Sequence, residues 1–222
     1  MFWREPLDEP QWKEALQGWR KKCEERGPIG AKKILEHTQK VVPGVLAIYG
    51  EEITAPCSNI YLLESDKGIL MIDSGDGMLD LRGLLRELQG FERPALVLLT
   101  HANYDHTFGV EGGWEVLMHP GDFKTGWTYY KPPGVFPLGE GTIRWGRFEL
   151  EIWHTPGHTE GSVCIFEKNY RILFSGDALF PGGAHGKTNL PGGNREQTDQ
   201  TMERLRRVEY NFLCAGHWGI ER

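Results

Sequence analysis

The stretch LLTHANYDHTFG, residues 98–109, decides how the rest of the chain is read. An apolar strand runs straight into His101, Asn103, Asp105 and His106, and Gly109 follows. Side chains at the carboxyl end of a strand, just before a turn, open onto the crevice beside the sheet and can converge on one point. Imidazole nitrogens and a carboxylate are ligands that Zn²⁺ and Fe²⁺ accept. Taken alone, the cluster equally fits a polar surface loop.

The other histidines alter that balance. The chain has 8 of them. His158 lies in TPGHTEGS (155–162) and His217 in CAGHW (214–218), while Asp177 lies in LFSGDALFPGG (173–183). Each follows an apolar run and neighbours a glycine that lets the backbone turn closely. Repeated strand-to-loop junctions ending in the same residue types point to a metal centre rather than to solvated loop ends.

Farther out, the chain is a succession of short strands. Apolar runs at 45–49 (VLAIY), 59–63 (NIYLL), 69–72 (ILMI) and 95–99 (ALVLL) are bounded by Gly, Pro, Asp or charge. Further strands are expected at 114–118, 147–153, 163–166, 171–174 and 211–215, with helices over 78–89 and 195–208. Strands in two groups with interspersed helices predict a layered α/β domain with two facing sheets. Trp12, Ala15, Leu16, Trp19 and Cys23 form one apolar stripe over 8–26, with Asp8 as cap and Gly27-Pro28 as stop. We read 1–222 as one domain, with 1–40 a helical extension packed on it. The Pro/Gly-rich, aromatic stretch 119–141 predicts a long loop, either functional or packed by its own aromatics.

Composition agrees with a globular protein. The chain has 222 residues, 39% of them apolar and 25% charged, with a mean hydropathy of −0.45. A net charge of −6 argues against nucleic-acid binding, which needs a basic surface. The 4 cysteines are far apart and read as reduced thiols, Cys214 as a buried strand residue rather than a ligand. The start, MFWREPLDEP, lacks a basic segment followed by an apolar one, and no run is long enough to span a bilayer. A cytoplasmic protein acting on a small molecule is expected, with no nucleic-acid or membrane partner and oligomers possible. No GxxxxGK[ST] occurs, so nucleotide binding has little support.

The quoted motifs closely resemble the metallo-β-lactamase superfamily, from about Val41 to His217. The family's order is an HxHxDH cluster, a His in a PGHT context, an Asp in a GD context and a final His. TPGHTEGS and FSGDALFPGG look most like its glyoxalase II branch of thioester hydrolases. The resemblance implies a four-layer αβ/βα sandwich, here with an extra N-terminal helix. It also implies two metal sites: His101, residue 103 and His158 in one, Asp105, His106 and His217 in the other, with Asp177 bridging. Asp105 would serve catalysis as well as binding. One or two Zn²⁺ ions would turn a water into the nucleophile, because a metal lowers the pKa of bound water to about 7.

Asn103 breaks the family pattern, since an amide oxygen is a weaker ligand than imidazole for Zn²⁺. A dinuclear centre with Asn103 as a weak ligand, a mononuclear centre, or replacement by His185 or His154 all remain open. His101, His158 and Asp177 alone match the two-His, one-carboxylate set of non-haem iron enzymes, which the related persulfide dioxygenases use. The reading is therefore a metallo-hydrolase of a small ester, thioester or lactone. Its alternatives are an iron-dependent sulfur dioxygenase and a degenerate metal-binding protein without catalysis. Lys187 corresponds to a lysine that holds glutathione in the family, or is a solvated loop residue. Trp127, Tyr129, Tyr130 and Phe136 would wall an apolar substrate pocket or pack the core. His37 and His119 read as structural. With the chain ending soon after His217, no C-terminal helical domain of the glyoxalase II kind is expected.

Overall fold

The computed structural model describes residues 17–19, 21–22, 25–90, 94–123 and 130–222. Its first sheet has 7 strands in chain order: β1 (Thr38–Val42), β2 (Val45–Ile48), β3 (Ile60–Ser65), β4 (Gly68–Ile72), β5 (Leu96–Leu98), β6 (Val116–Met118) and β7 (Val135–Pro137). β1 to β4 are antiparallel neighbours, and β4 to β7 pair in parallel. The second sheet has 5 strands: β8 (Gly141–Trp145), β9 (Phe148–His154), β10 (Val163–Glu167), β11 (Ile172–Gly176) and β12 (Phe212–Ala215). It is antiparallel except for β11 and β12, which run parallel.

Successive strand residues face opposite sides, and that alternation separates the layers. Tyr61 and Leu63 of β3 and Leu70 and Ile72 of β4 turn inward onto Leu150 and Ile152 of β9 and Phe174 of β11. Ile60, Leu62 and Met71 turn outward onto Ile34 of helix α1 (Ala31–Leu35) and Leu81, Leu84 and Leu85 of α3 (Leu81–Gln89). On the far side, Cys164, Leu173 and Leu213 meet Met202 and Leu205 of α5 (Arg195–Leu205). The order is helix, sheet, sheet, helix. Two short helices, α2 (Gly50–Ile53) and α4 (Tyr104–Thr107), lie in loops.

Some expectations need correction. The stretch 119–141 is not one loop: it holds a 3₁₀ turn at Pro120–Asp122, strand β7, and the start of β8. β7 and β8 are edge strands with half-exposed residues, so they lack the apolar alternation that marks a strand in sequence. β1 was likewise not read from the sequence, and it crosses the expected boundary at 40. Ile34, fully buried, makes the segment before that boundary part of the core. Of the expected helix over 8–26, residues 17–19, 21–22 and 25–26 are helical. Trp12, Ala15, Leu16 and Cys23 lie outside the described residues, while Trp19 Nε1 donates to the Asp76 carbonyl at 2.9 Å. Among the described residues no helix is long and apolar enough to cross a membrane.

The topology sets up one functional edge. The loops after β5, β9, β11 and β12 carry His101 to His106, His158, Asp177 and His217 respectively.

Candidate metal centre

The loop after β5 is pinned before it carries any ligand. Asp73, at the end of β4, accepts from Thr100 N and Thr100 Oγ1, both at 2.8 Å. The Asp105 carbonyl accepts from Ser58 N at 3.0 Å, and the His106 carbonyl from Ser74 N at 2.8 Å. Asn59, just before β3, reaches across to the opposite sheet: its Nδ2 donates to the Ala215 and Trp218 carbonyls and its N to that of Gly216, which fixes the turn carrying His217. Gly216 cannot be replaced without moving the centre: a Cβ there would stand 2.4 Å from Asp177 Oδ1 and 2.7 Å from His106 Cε1.

These loops bring four imidazoles together, each with Nδ1 turned to an outer partner. His106 Nδ1 lies 2.8 Å from Asp73 Oδ2, and His101 Nδ1 lies 3.0 Å from Thr100 Oγ1. His158 Nδ1 donates to the Lys187 carbonyl at 2.7 Å, and His217 Nδ1 lies 3.0 Å from Glu51 Oε1. The hydrogen bonds on His101, His106 and His158 fix ring orientation and tautomer and leave Nε2 for a metal, while Glu51 faces His217 Nδ1 as an ion-pair neighbour. The inner atoms crowd around Asp177. Its Oδ1 is 3.3 Å from His106 Nε2 and 3.6 Å from His217 Nε2, and its Oδ2 is 3.6 Å from His158 Nε2. His217 Nε2 also lies 3.3 Å from Asp105 Oδ2.

Two overlapping donor groups result, His101 with His106 and Asp177, and Asp105 with His106 and His217, each with its donor atoms within 4.8 Å of one another. His101 Nε2, His106 Nε2 and Asp177 Oδ1 are buried with no hydrogen-bond partner among the described residues. Burying polar atoms unpaired is costly, and a cation between them removes the cost. The charges agree. Burial disfavours charge on His106, but Asp73 and Asp177 outweigh it and hold its pKa at about 10. Burial acts against the Asp105 carboxylate, yet His217 and His106 bring it down to about 2. Without an ion, protons on imidazole balance the carboxylates, and a divalent cation can replace them. The donor set fits a metal.

Asn103 reaches the same place, with its Oδ1 2.7 Å from His158 Nε2. The proposed substitutes do not. His154 Nε2 is bonded to the Glu160 carbonyl at 2.8 Å, and its ring stacks on His119 at 4.2 Å. His185 borders a small cavity with His158 and Asp177, with its Nδ1 bonded to the Gly186 carbonyl, but it belongs to neither donor group. Lys187 acts on His158 through its backbone, while its side chain is exposed. Trp127 and Tyr129 lie outside the described residues. Tyr130 is beside the centre: its N donates to the Ala102 carbonyl at 2.7 Å, and its ring meets Phe108 at 4.5 Å. Phe136 is not a pocket wall there; it is 56% exposed on edge strand β7. Cys214 is buried in β12, as expected. Sequence reasoning missed Asp73, Thr100 and Glu51. The only cue for Asp73 was an acid closing the apolar run GILMI.

Comparison with known proteins is consistent with this geometry. The family model of the metallo-beta-lactamase superfamily matches residues 56–217. A probable metallo-hydrolase of Bacillus subtilis is 31% identical over 72% of this chain and 84% of its own length. A hydroxyacylglutathione hydrolase of Salmonella typhi is 32% identical over 71% of this chain and 61% of its own. An acyl-coenzyme A thioesterase of Gallus gallus is 30% identical over 56% and 58% respectively. The matches therefore span less than two thirds of these last two relatives. Among solved structures, a protein in a di-iron-bound form, TTHA1623, is 30% identical with a TM-score of 0.63, covering 76% of this chain and 91% of that one.

Proposed function

Since the chain belongs to the metallo-beta-lactamase superfamily, we propose that it is a metal-dependent hydrolase of thioesters, similar to the glyoxalase II branch. The observation that carries this reading is the set of unpartnered Nε2 and Oδ1 atoms of His101, His106 and Asp177, which converge at the edge between the sheets. Two relatives whose names specify thioester substrates support the bond type.

In this reading His101, His158 and Asp177, with Asn103 beside them, would hold one ion, and Asp105, His106 and His217 with Asp177 would hold the other. Bound metal supplies Lewis acidity and makes a water acidic enough to ionise near neutral pH. The chain does the rest. Asp105, ionised because its pKa is near 2, is acceptor-only and orients the attacking water by its proton. Asp73 fixes His106 directly and His101 through Thr100, so neither ring reorients as charge develops. A C–O bond forms at the acyl carbon, the C–S bond breaks, and the water's proton leaves with the thiol.

The test is turnover of S-lactoylglutathione and a short acyl-coenzyme A by metal-replete protein, beside Asp177→Ala. Hydrolysis that the variant loses together with its metal is expected. Near-normal metal content and turnover in Asp177→Ala would overturn the assignment. One observation favours a second reading. Asn103, an amide where the family has imidazole, leaves His101, His158 and Asp177 as a set suited to a single iron and a persulfide substrate. One iron per chain, with oxygen consumption and no thioester turnover, would establish it.

A further inference from the structure

We propose that Asp122 is a positioning residue that sets the spacing between the ligand loops of the two sheets; the inference rests on the metal reading above. Asp122 closes the 3₁₀ turn after β6, far in sequence from the ligands it serves, and is fully buried. Its Oδ2 accepts from Ala102 N at 2.9 Å, the peptide between His101 and Asn103. The same oxygen accepts from Thr159 Oγ1 at 2.8 Å, the residue after His158, and Oδ1 accepts from Gly161 N at 2.7 Å. One carboxylate thus joins the loop after β5 to the loop after β9. The rings it spaces, His101 and His158, have centroids 4.9 Å apart.

The surroundings are built for a side chain of this size. A Cβ on Gly161 would stand 2.6 Å from both Asp122 Cγ and Asp122 N, and one on Gly121 would stand 2.9 Å from the Glu160 carbonyl oxygen. Thr159 is held in turn by Ser162, whose Oγ accepts from Thr159 N at 3.1 Å. Every group facing the carboxylate in these bonds donates a proton, and two of them are backbone N–H groups on different oxygens. An amide in its place must turn NH₂ toward one of those N–H groups, pushing either the Ala102 loop or the Gly161 loop away. Asp122→Asn therefore alters the distance between His101 and His158 while keeping size and shape.

The experiment uses the full chain and Co²⁺ as probe, comparing wild type, Asp122→Asn and Thr159→Val. The readouts are Co²⁺ affinity by equilibrium dialysis and the paramagnetically shifted N–H resonances of the ligand histidines. Expected is a loss of about 10- to 100-fold in affinity for the ion bound through His101 and His158, the range seen when an outer partner of a ligand is removed. Their shifted resonances should weaken while those of His106 and His217 persist. Thr159→Val, which removes one hydroxyl and leaves the carboxylate, should show a smaller loss at the same site. Unchanged binding in both variants overturns the proposal, as does an equal loss of every ion together with a lower melting temperature in both, which would make Asp122 a general structural support. A wild type that binds no Co²⁺ overturns the metal reading itself and the positioning role with it.

Discussion

At position 103 an amide stands where the family's cluster carries an imidazole, and its oxygen lies 2.7 Å from His158 Nε2. Restoring the imidazole tests what the amide does. Asn103→His should raise zinc content toward two per chain and increase thioester hydrolysis, measured by mass spectrometry and turnover; no change in either places residue 103 outside the coordination sphere. A second residue-scale effect lies away from the ligands. Asp76 is buried, and burial raises its pKa to about 6 although Met78 N and Thr54 Oγ1 donate to it. A carboxyl with a raised folded pKa penalises folding only when ionised. Its penalty is absent well below the unfolded value of 3.8, grows as pH rises from there toward 6, and is complete above that. Asp76→Asn should therefore stabilise the protein by about 1–3 kcal/mol at pH 8, with the gain vanishing by about pH 3, in urea unfolding at each pH. His158 and His217 were legible in sequence because each follows an apolar run beside a glycine, and His101 and His106 because they cluster directly after one. Asp73 and Asp122 were not, because their partners are tertiary: Asp73 meets a ring 33 positions away and Asp122 a hydroxyl 37 away.

Elements with their own local signals were read correctly, and those without were missed. Helix α3 shows why. Asp80 accepts from Gly83 N at 2.8 Å at its start, and Gly90 takes φ 73° at its end, so both boundaries are written in residue type. Asp80→Ala should cost about 1 kcal/mol of stability by thermal or urea unfolding and leave metal content unchanged. The buried strands β3, β4 and β10 were visible as apolar runs. β7 is a three-residue edge ending in Pro137, and β8 is half exposed, so neither offers the pattern on which such a reading depends.

Across the whole molecule, the centre draws on both sheets: His101, Asp105 and His106 follow β5 of one, while His158, Asp177 and His217 follow strands of the other. An ion there cross-links the two halves and favours the folded state by mass action. At a hundredfold excess over Kd that is about 2.7 kcal/mol, so chelation should lower the melting temperature by roughly 5–10 °C, read by calorimetry with and without chelator. The layered architecture was legible because two groups of strands with interspersed helices admit few arrangements, whereas which loops meet at the edge depends on pairings no local pattern records. The parallel pairing of β11 with β12 across α5 bears on timing. During translation His101 and His106 emerge well before Asp177, and His217 later still. A nascent chain thus carries only half a donor set, and non-local parallel pairing is intrinsically slow. Choice between competing ions is deferred until β12 docks, so it falls to whichever ion the surroundings then supply.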